Sequence, residues 1–344
     1  MRKLSQQTQS IRNFILENIE DHSQDIVAVT AKNFDISRQA VLRHIHSLLE
    51  ADLISFEGVT RNRKYSLRNL VEIVKSYPLA NLEEDQIWKE FVQPALSDIP
   101  QNVITICEYG FTEMVNNAID HSEGKTLQVS LKRTAVEIEM LVIDDGIGIF
   151  KKIQDVLHLD DPMYSILELA KGKLTTDPKR HTGEGIFFTS RVFDKYGIWS
   201  GNLYFAHISN HDWLLEDKKD EMKGTMIKME ITPNSDKTLK KTFDYYASGD
   251  DFGFSKTFVP VFLAEYGNEN LISRSQAKRL LTRFERFKEI VLDFSKVNSI
   301  GQAFADEIFR VFQSEHPSIR ILAVNANEEV TKMIERARES LKTQ

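Results

Sequence analysis

Apolar positions change their period several times along this chain. Ile11, Phe14, Ile15 and Ile19 form one helical stripe, and Val27, Val29, Ala31 and Phe34 belong to a second element. A third helix carries Val41, Leu42, Ile45, Leu48 and Leu49 inward, with Arg38, Gln39, Arg43, His44 and His46 outward. Asp35-Ile36-Ser37 makes the tight turn before it, with Ser37 as its cap. ADLISFEGVTRNRKYSL then reads as a hairpin with Arg61, Asn62, Arg63 and Lys64 at its tip. The stretch from Leu70 to Leu96, broken by Pro78, predicts a helical connector over 71–100. Phe111, Met114, Val115, Ala118 and Ile119 follow as one face of a helix, and AVEIEMLVI (135–143) as a buried strand. Residues 236–254 are polar and aromatic and mark a boundary. Beyond them, strand-like FVPVFLAEYG, EIVLDFS and IRILAVNA alternate with amphipathic helical segments, which argues for an α/β layer structure.

At 344 residues, with 41% hydrophobic and 28% charged residues, the chain has room for two or three soluble domains. Its net charge of −7 argues against wholesale coating of nucleic acid, although a basic patch can act locally. A single cysteine, Cys107, excludes an internal disulfide framework and fits a reducing cytosol. The first ten residues lack a signal-peptide pattern, and no run approaches the ~20 apolar residues of a membrane span, so a cytoplasmic protein without membrane contact is expected.

Chemistry concentrates in the middle of the chain. Glu113, Asn117 and His121 recur every fourth residue and stack along one helix face, a carboxylate, an amide and an imidazole suited to a metal–phosphate group. The strand over 135–143 ends at Asp144, followed by Asp145, Gly146, Ile147 and Gly148. An acceptor carboxylate beside two glycines suits close approach of a buried ligand. Gly183 and Gly185 bracket Glu184 and open a helix-like run, a start suited to phosphate. Lys171, Lys173, Lys179 and Arg180 can bring cations to a γ-phosphate, Lys179 and Arg180 best because they adjoin those glycines. Gly224-Thr225 precedes the alternation Ile227, Met229, Ile231. His207 and His211 have a spacing seen in metal sites, but no second ligand cluster joins them.

Residues 100–235 resemble the GHKL ATP-binding fold of gyrase, Hsp90, sensor histidine kinases and MutL. The matching motifs are Glu113-x-x-x-Asn117, Asp144-x-Gly146-x-Gly148, Gly183-x-Gly185 and Gly224-Thr225. The resemblance implies an α/β sandwich over 101–236 with ATP between sheet and helices. Asn117 would bind Mg²⁺, Asp144 would accept the adenine amino group with Thr225 in support, and Glu113 would orient or deprotonate water. Residues 150–182 would form a mobile lid. The third motif is short of glycine, with Ile186 and Phe187 after Gly185.

Residues 1–70 resemble a winged helix-turn-helix, and 250–344 a STAS-like α/β domain of the kind fused to such ATPases. The whole reads as a multidomain α+β and α/β protein. Across 38–68, six Lys/Arg against three acidic residues give a local +3, which fits DNA binding through Arg38, Gln39, Arg43, Arg61, Arg63 and Lys64. In the STAS-like part, Gly301 and Gln302 stand where phosphorylatable relatives carry Asp-Ser. The expectation is a homodimeric, weakly hydrolysing, Mg-ATP-responsive regulator of DNA binding, with a protein partner for the STAS-like module. The alternative is a serine/threonine protein kinase of anti-sigma type acting on a separate substrate.

Overall fold

The structure, a computed structural model, describes residues 5–59, 62–174, 183–208, 211–216, 221–248, 251–265 and 270–342. Helices α1 (Gln6–Asn18), α2 (Ile26–Phe34) and α3 (Arg38–Glu50) precede an antiparallel ribbon of β1 (Ile54–Glu57) and β2 (Lys64–Leu67). Ser37 Oγ accepts from Ala40 N–H at 3.2 Å, so it does cap α3. Ile15, Ile19, Ile26, Val41, Ile45 and Ile54 close a core of their own. Leu42 is corrected: it is 45% exposed, because the buried stripe runs through 41, 45 and 48 and leaves 42 a quarter turn away. His44 is half-buried rather than outward, its pKa lowered by burial and then by Arg12. Arg63 stacks on Phe56 at 4.4 Å, and Arg61 lies outside the described residues.

Residues 71–100 are not a helical connector throughout. Val71–Pro78 is a strand, β3, paired antiparallel along its full length with β4 (Thr126–Arg133). The period there is two: Val71, Ile73 and Tyr77 pack on the core while Val74 faces outward. Pro78 is tolerated because β3 is an edge strand. Helical turns run only from α4 (Glu84–Ile87) to Leu96, and Ile87, Trp88 and Phe91 cover their own domain.

The middle domain lays helices on a seven-stranded antiparallel sheet, in the order β3-β4-β5-β9-β6-β7-β8. Its strands are β5 (Ile138–Asp144), β6 (Lys195–Gly201), β7 (Leu203–Ile208), β8 (His211–Glu216) and β9 (Met222–Ile231), with β3 and β4. Ile138, Met140, Val142 and Asp144 alternate into the interior along β5. Helix α5 (Gln101–His121) buries Val103, Cys107, Phe111, Met114, Val115 and Ala118, and burial pushes the Cys107 thiol up to about 12. Helices α6 (Ile149–Leu157), α7 (Met163–Lys171) and α8 (Gly185–Val192) complete the layer.

The stretch 236–254 is more than a boundary, since it carries α9 (Leu239–Tyr246) and the hairpin β10 (Ala247–Ser248)–β11 (Asp251–Phe254). Phe243 meets Phe188 at 4.3 Å, and Phe254 bridges Phe187 (4.5 Å) and Phe287 (5.4 Å). The C-terminal unit has a parallel sheet of β12 (Lys256–Pro260), β13 (Glu289–Asp293) and β14 (Arg320–Val324). Around it run α10 (Arg274–Leu281), α11 (Gln302–Asp306), α12 (Gln313–Glu315) and α13 (Glu328–Lys342), with a π turn joining α11 to α12. A Cβ at Gly301 would lie 2.7 Å from the Ile272 Cα, so backbone packing excludes a side chain at this position.

The proposed lid, 150–182, divides in two. Residues 175–182, with Thr175, Thr176, Lys179 and Arg180, lie outside the described residues. The rest forms α6 and α7, and α7 is buried from Tyr164 to Lys171. Lys171 is therefore corrected as a phosphate-facing cation. Its Nζ meets Glu168 at 2.6 Å and the carbonyls of Arg279 and Thr282 at 3.1 and 3.0 Å. Arg283 donates to Glu168 at 2.9 Å and to the carbonyls of Gly172 and Lys173 at 2.9 and 2.5 Å. Burial pulls Lys171 down to about 8, with Glu168 opposing it. Removing one carboxylate from such a cluster strands two buried cations. Glu168→Leu should lower the unfolding free energy by about 3–5 kcal/mol in urea titration; a loss near zero would show the cluster to be dispensable.

Candidate functional site

A cleft of about 770 Å³ of empty space lies between the sheet and the helices. Helix α5 supplies one wall through Met114, Asn117, Ala118 and His121, so the predicted polar face and part of the apolar face both reach it. Glu113 sits one turn earlier. A Cβ on Gly185 would fall 1.9 Å from Glu113 Oε2, so the carboxylate rests directly on the start of α8. Nearby Glu184 has its carboxyl raised by burial, and Tyr109 is pushed up by burial and by the Glu113 and Glu184 charges.

The floor is the end of β5 against β9, where Asp144 and Thr225 are cross-strand partners. Asp144 is 7% exposed, and its Oδ1 accepts from the backbone N–H of Gly146 at 2.9 Å and Thr225 at 3.3 Å. Burial lifts its carboxyl above the ordinary carboxylate range, while the two N–H bonds pull the other way. Thr225 Oγ1 accepts from Ile149 N–H at 3.0 Å and so fixes the first turn of α6. Glycine is required here by space. A Cβ at Gly224 (φ 77°) would lie 2.0 Å from the Asp144 carbonyl oxygen, and one at Gly146 2.0 Å from the Ser122 carbonyl oxygen. Gly148 (φ 87°) holds the same close approach to Ser200.

Gly183 reaches the cleft, with Leu174 and Ile186 beside it. Gly183 also pairs with Leu174, whose N–H donates to its carbonyl at 3.1 Å. One cleft thus gathers Asn117, Asp144, Gly148, Gly183 and Thr225, with Gly146 behind Asp144 and Gly185 beside Glu113. Lys173 does not line it: its Nζ donates to the Arg286 carbonyl at 2.9 Å and stacks on Phe287 at 5.0 Å. The sequence reading missed Ile149, Lys152 and Ile153, which line the cleft from α6. Their signal was present as i, i+3, i+4 spacing immediately after Gly148. Lys152 is ion-paired with Glu123.

Two segments match models of known families. Residues 106–234 match "Histidine kinase-, DNA gyrase B-, and HSP90-like ATPase", and residues 276–331 match "STAS-like domain of unknown function (DUF4325)". Among curated proteins the chain is similar to the sensor histidine kinase DesK of Bacillus subtilis (strain 168), 27% identical over 124 residues. That match covers 35% of this chain and 30% of the kinase's own length. An ATPase domain of this type implies nucleotide binding, usually with Mg²⁺. No helix among the described residues is long and apolar enough to cross a membrane.

The Asp144 environment makes stability depend on pH. A carboxyl whose folded pKa is raised favours the native state most below its unfolded pKa, and that favour is lost as pH rises through the folded value. At neutral pH the ionised form therefore burdens the unliganded fold. Asp144→Asn keeps an acceptor oxygen for Gly146 and Thr225 and should stabilise the unliganded protein by about 1 kcal/mol in thermal unfolding at pH 7. The gain should shrink towards pH 4; a destabilised variant would contradict it.

Proposed function

We propose that this chain is an ATP-responsive regulator whose nucleotide cleft is coupled to a DNA-binding N-terminal unit and to the STAS-like unit. The observation that carries the reading is the cleft itself: a buried acceptor carboxylate cross-strand from a threonine, beside glycines whose missing Cβ atoms leave room. Asp144 would accept the exocyclic amino group of adenine, with Thr225 holding both that carboxylate and the start of α6 in place. Ile149, Ile153 and Ile227 offer the apolar surface a purine face requires. Asn117, lining the cleft on α5, would ligate Mg²⁺. When bound, Mg²⁺ supplies charge neutralisation for the phosphate oxygens. Glu113, one turn away, would orient water or take its proton.

Coupling is supported by the wall shared with the C-terminal unit. Leu169 and Leu174 line the cleft, while Glu168, Lys171, Gly172 and Lys173 between and beside them bond residues 279–286. A ligand that prefers one arrangement of this wall also prefers one arrangement of the C-terminal unit, and only that difference in affinity can drive a switch. At the other end, Arg38, Gln39 and Arg43 are exposed on α3, and Arg63 and Lys64 on the ribbon. This is the donor distribution of a winged helix-turn-helix, with a recognition helix for base edges and a basic wing for phosphates.

Phosphoryl transfer to another protein is a second reading, favoured by the likeness to a kinase. Transfer within the chain to the STAS-like loop is disfavoured, because Gly301 has no side chain and the Gln302 amide has no hydroxyl to take a phosphoryl group.

Calorimetry with Mg-ATP should show saturable binding that Asn117→Ala removes. Glu113→Ala should retain ATP while turnover falls by about 10²–10⁴-fold; lost binding with intact turnover per bound nucleotide would transfer the base role elsewhere. Fluorescence anisotropy on duplex DNA, with and without Mg-ATP, tests the switch. A change in affinity or subunit number is expected, and identical values in both conditions reject the coupling. Radiolabel appearing on a second protein, rather than as free phosphate, would favour the kinase reading.

A further inference from the structure

Helix α8 ends as distinctively as it begins. Arg191, in its last turn, has a side chain only 4% exposed. Its Nη1 donates to Asp212 Oδ1 at 3.1 Å, and His207 Nδ1 lies 2.7 Å from the same oxygen. Arg191 Nη1 also contacts the His207 ring. An arginine, an aspartate and a histidine from α8, β8 and β7 thus form a buried polar cluster that the nucleotide cleft does not use. Burial and Arg191 hold His207 towards the neutral form. Arg191 Nε has no hydrogen-bond partner among the described residues, although a buried guanidinium N–H is costly to leave without an acceptor.

This cluster lies at a second cleft, of about 1150 Å³ of empty space, lined by Arg191 and His207 together with Lys237, Lys241, Tyr245 and Tyr246. Phe258 of β12 closes one side, so the C-terminal unit contributes to the wall. Lys237 is held by Asp194 at 2.8 Å and by the Phe193 carbonyl at 3.0 Å, which fixes an ammonium at the rim. Lys241 is exposed on α9, and the Tyr245 ring is 58% exposed, with Lys256 Nζ 4.5 Å from its centroid. Among the described residues, three cations face one lining carboxylate, Asp236. The partners that balance Arg191 and Lys237, Asp212 and Asp194, are not part of the lining.

We propose that this cleft is a second ligand site, for a compact molecule bearing an oxyanion group. The anion takes the Arg191 Nε–H and the Lys241 ammonium, and a planar or apolar portion packs on Tyr245 and Phe258. Charge-assisted donors of this kind select phosphate or carboxylate, and an arginine fixed by its own aspartate is pre-organised for it. The site stands independently of what occupies the nucleotide cleft.

The test uses the full chain without Mg²⁺, titrated by calorimetry with inorganic pyrophosphate and, separately, with citrate. Saturable binding of at least one probe is expected, weakened about ten-fold or more by Lys241→Glu, lost in Arg191→Met, and unchanged by Asn117→Ala. Lys241 is exposed, so its variant keeps the test decisive even if Arg191→Met fails to fold. Tighter pyrophosphate assigns a phosphate ligand, and tighter citrate a carboxylate. No binding of either probe, or binding that ignores Lys241→Glu, overturns the site. Binding lost in Asn117→Ala overturns it too, since the anion then sits in the nucleotide cleft; failure of ATP to bind leaves this result readable on its own.

Discussion

Three charged side chains without water around them hold the two larger parts of this molecule together. Glu168 and Lys171 belong to the nucleotide-binding layer, and Arg283 comes from the C-terminal unit, all nearly excluded from solvent. Desolvating such groups is costly, and the cluster persists because backbone carbonyls on both sides complete it. The cluster ties the helix behind the cleft wall at Leu169 and Leu174 to the turn at 282–286, and Lys173 and Arg286 add to this by bonding each other's carbonyls.

Adjacent aspartates at the cleft show how environment divides labour. Asp144 is raised by burial and faces the cleft. Asp145 is half-buried and held down to about 2 by the backbone N–H groups of Thr126 and Lys125. Asp145 thereby pins the start of β4, a structural service, while its neighbour lines the cleft. The glycines around them keep this arrangement compact, and two of them, Gly148 and Gly224, adopt left-handed backbone that side chains rarely take.

How much of this was legible follows from how local each signal is. Glu113, Asn117, Asp144 and the glycines stand in short motifs, and the fold brings Asn117, Asp144, Gly148, Gly183 and Thr225 to one cleft, with Glu113 one turn away against Gly185. Strand β3 reads as helix from sequence because Leu70, Ile73, Val74 and Tyr77 also satisfy helical spacing; pairing with β4, some fifty residues away, decides for strand. Lys171 reads as a cation free to reach phosphate because lysines are seldom buried, and nothing nearby in sequence announces Arg283. The Arg191–His207–Asp212 cluster was invisible for the same reason: two strands and a helix bring together residues that share no motif.

Helix α7 has no side left for water, and the surfaces that cover it are supplied late. Lys171 bonds the carbonyl of a residue 111 positions downstream. On a translating ribosome that separation is roughly 5–20 s of synthesis, during which Ile166, Leu167 and Leu169 lack part of their cover. The layer that carries α7 is therefore completed only once its C-terminal neighbour has been made.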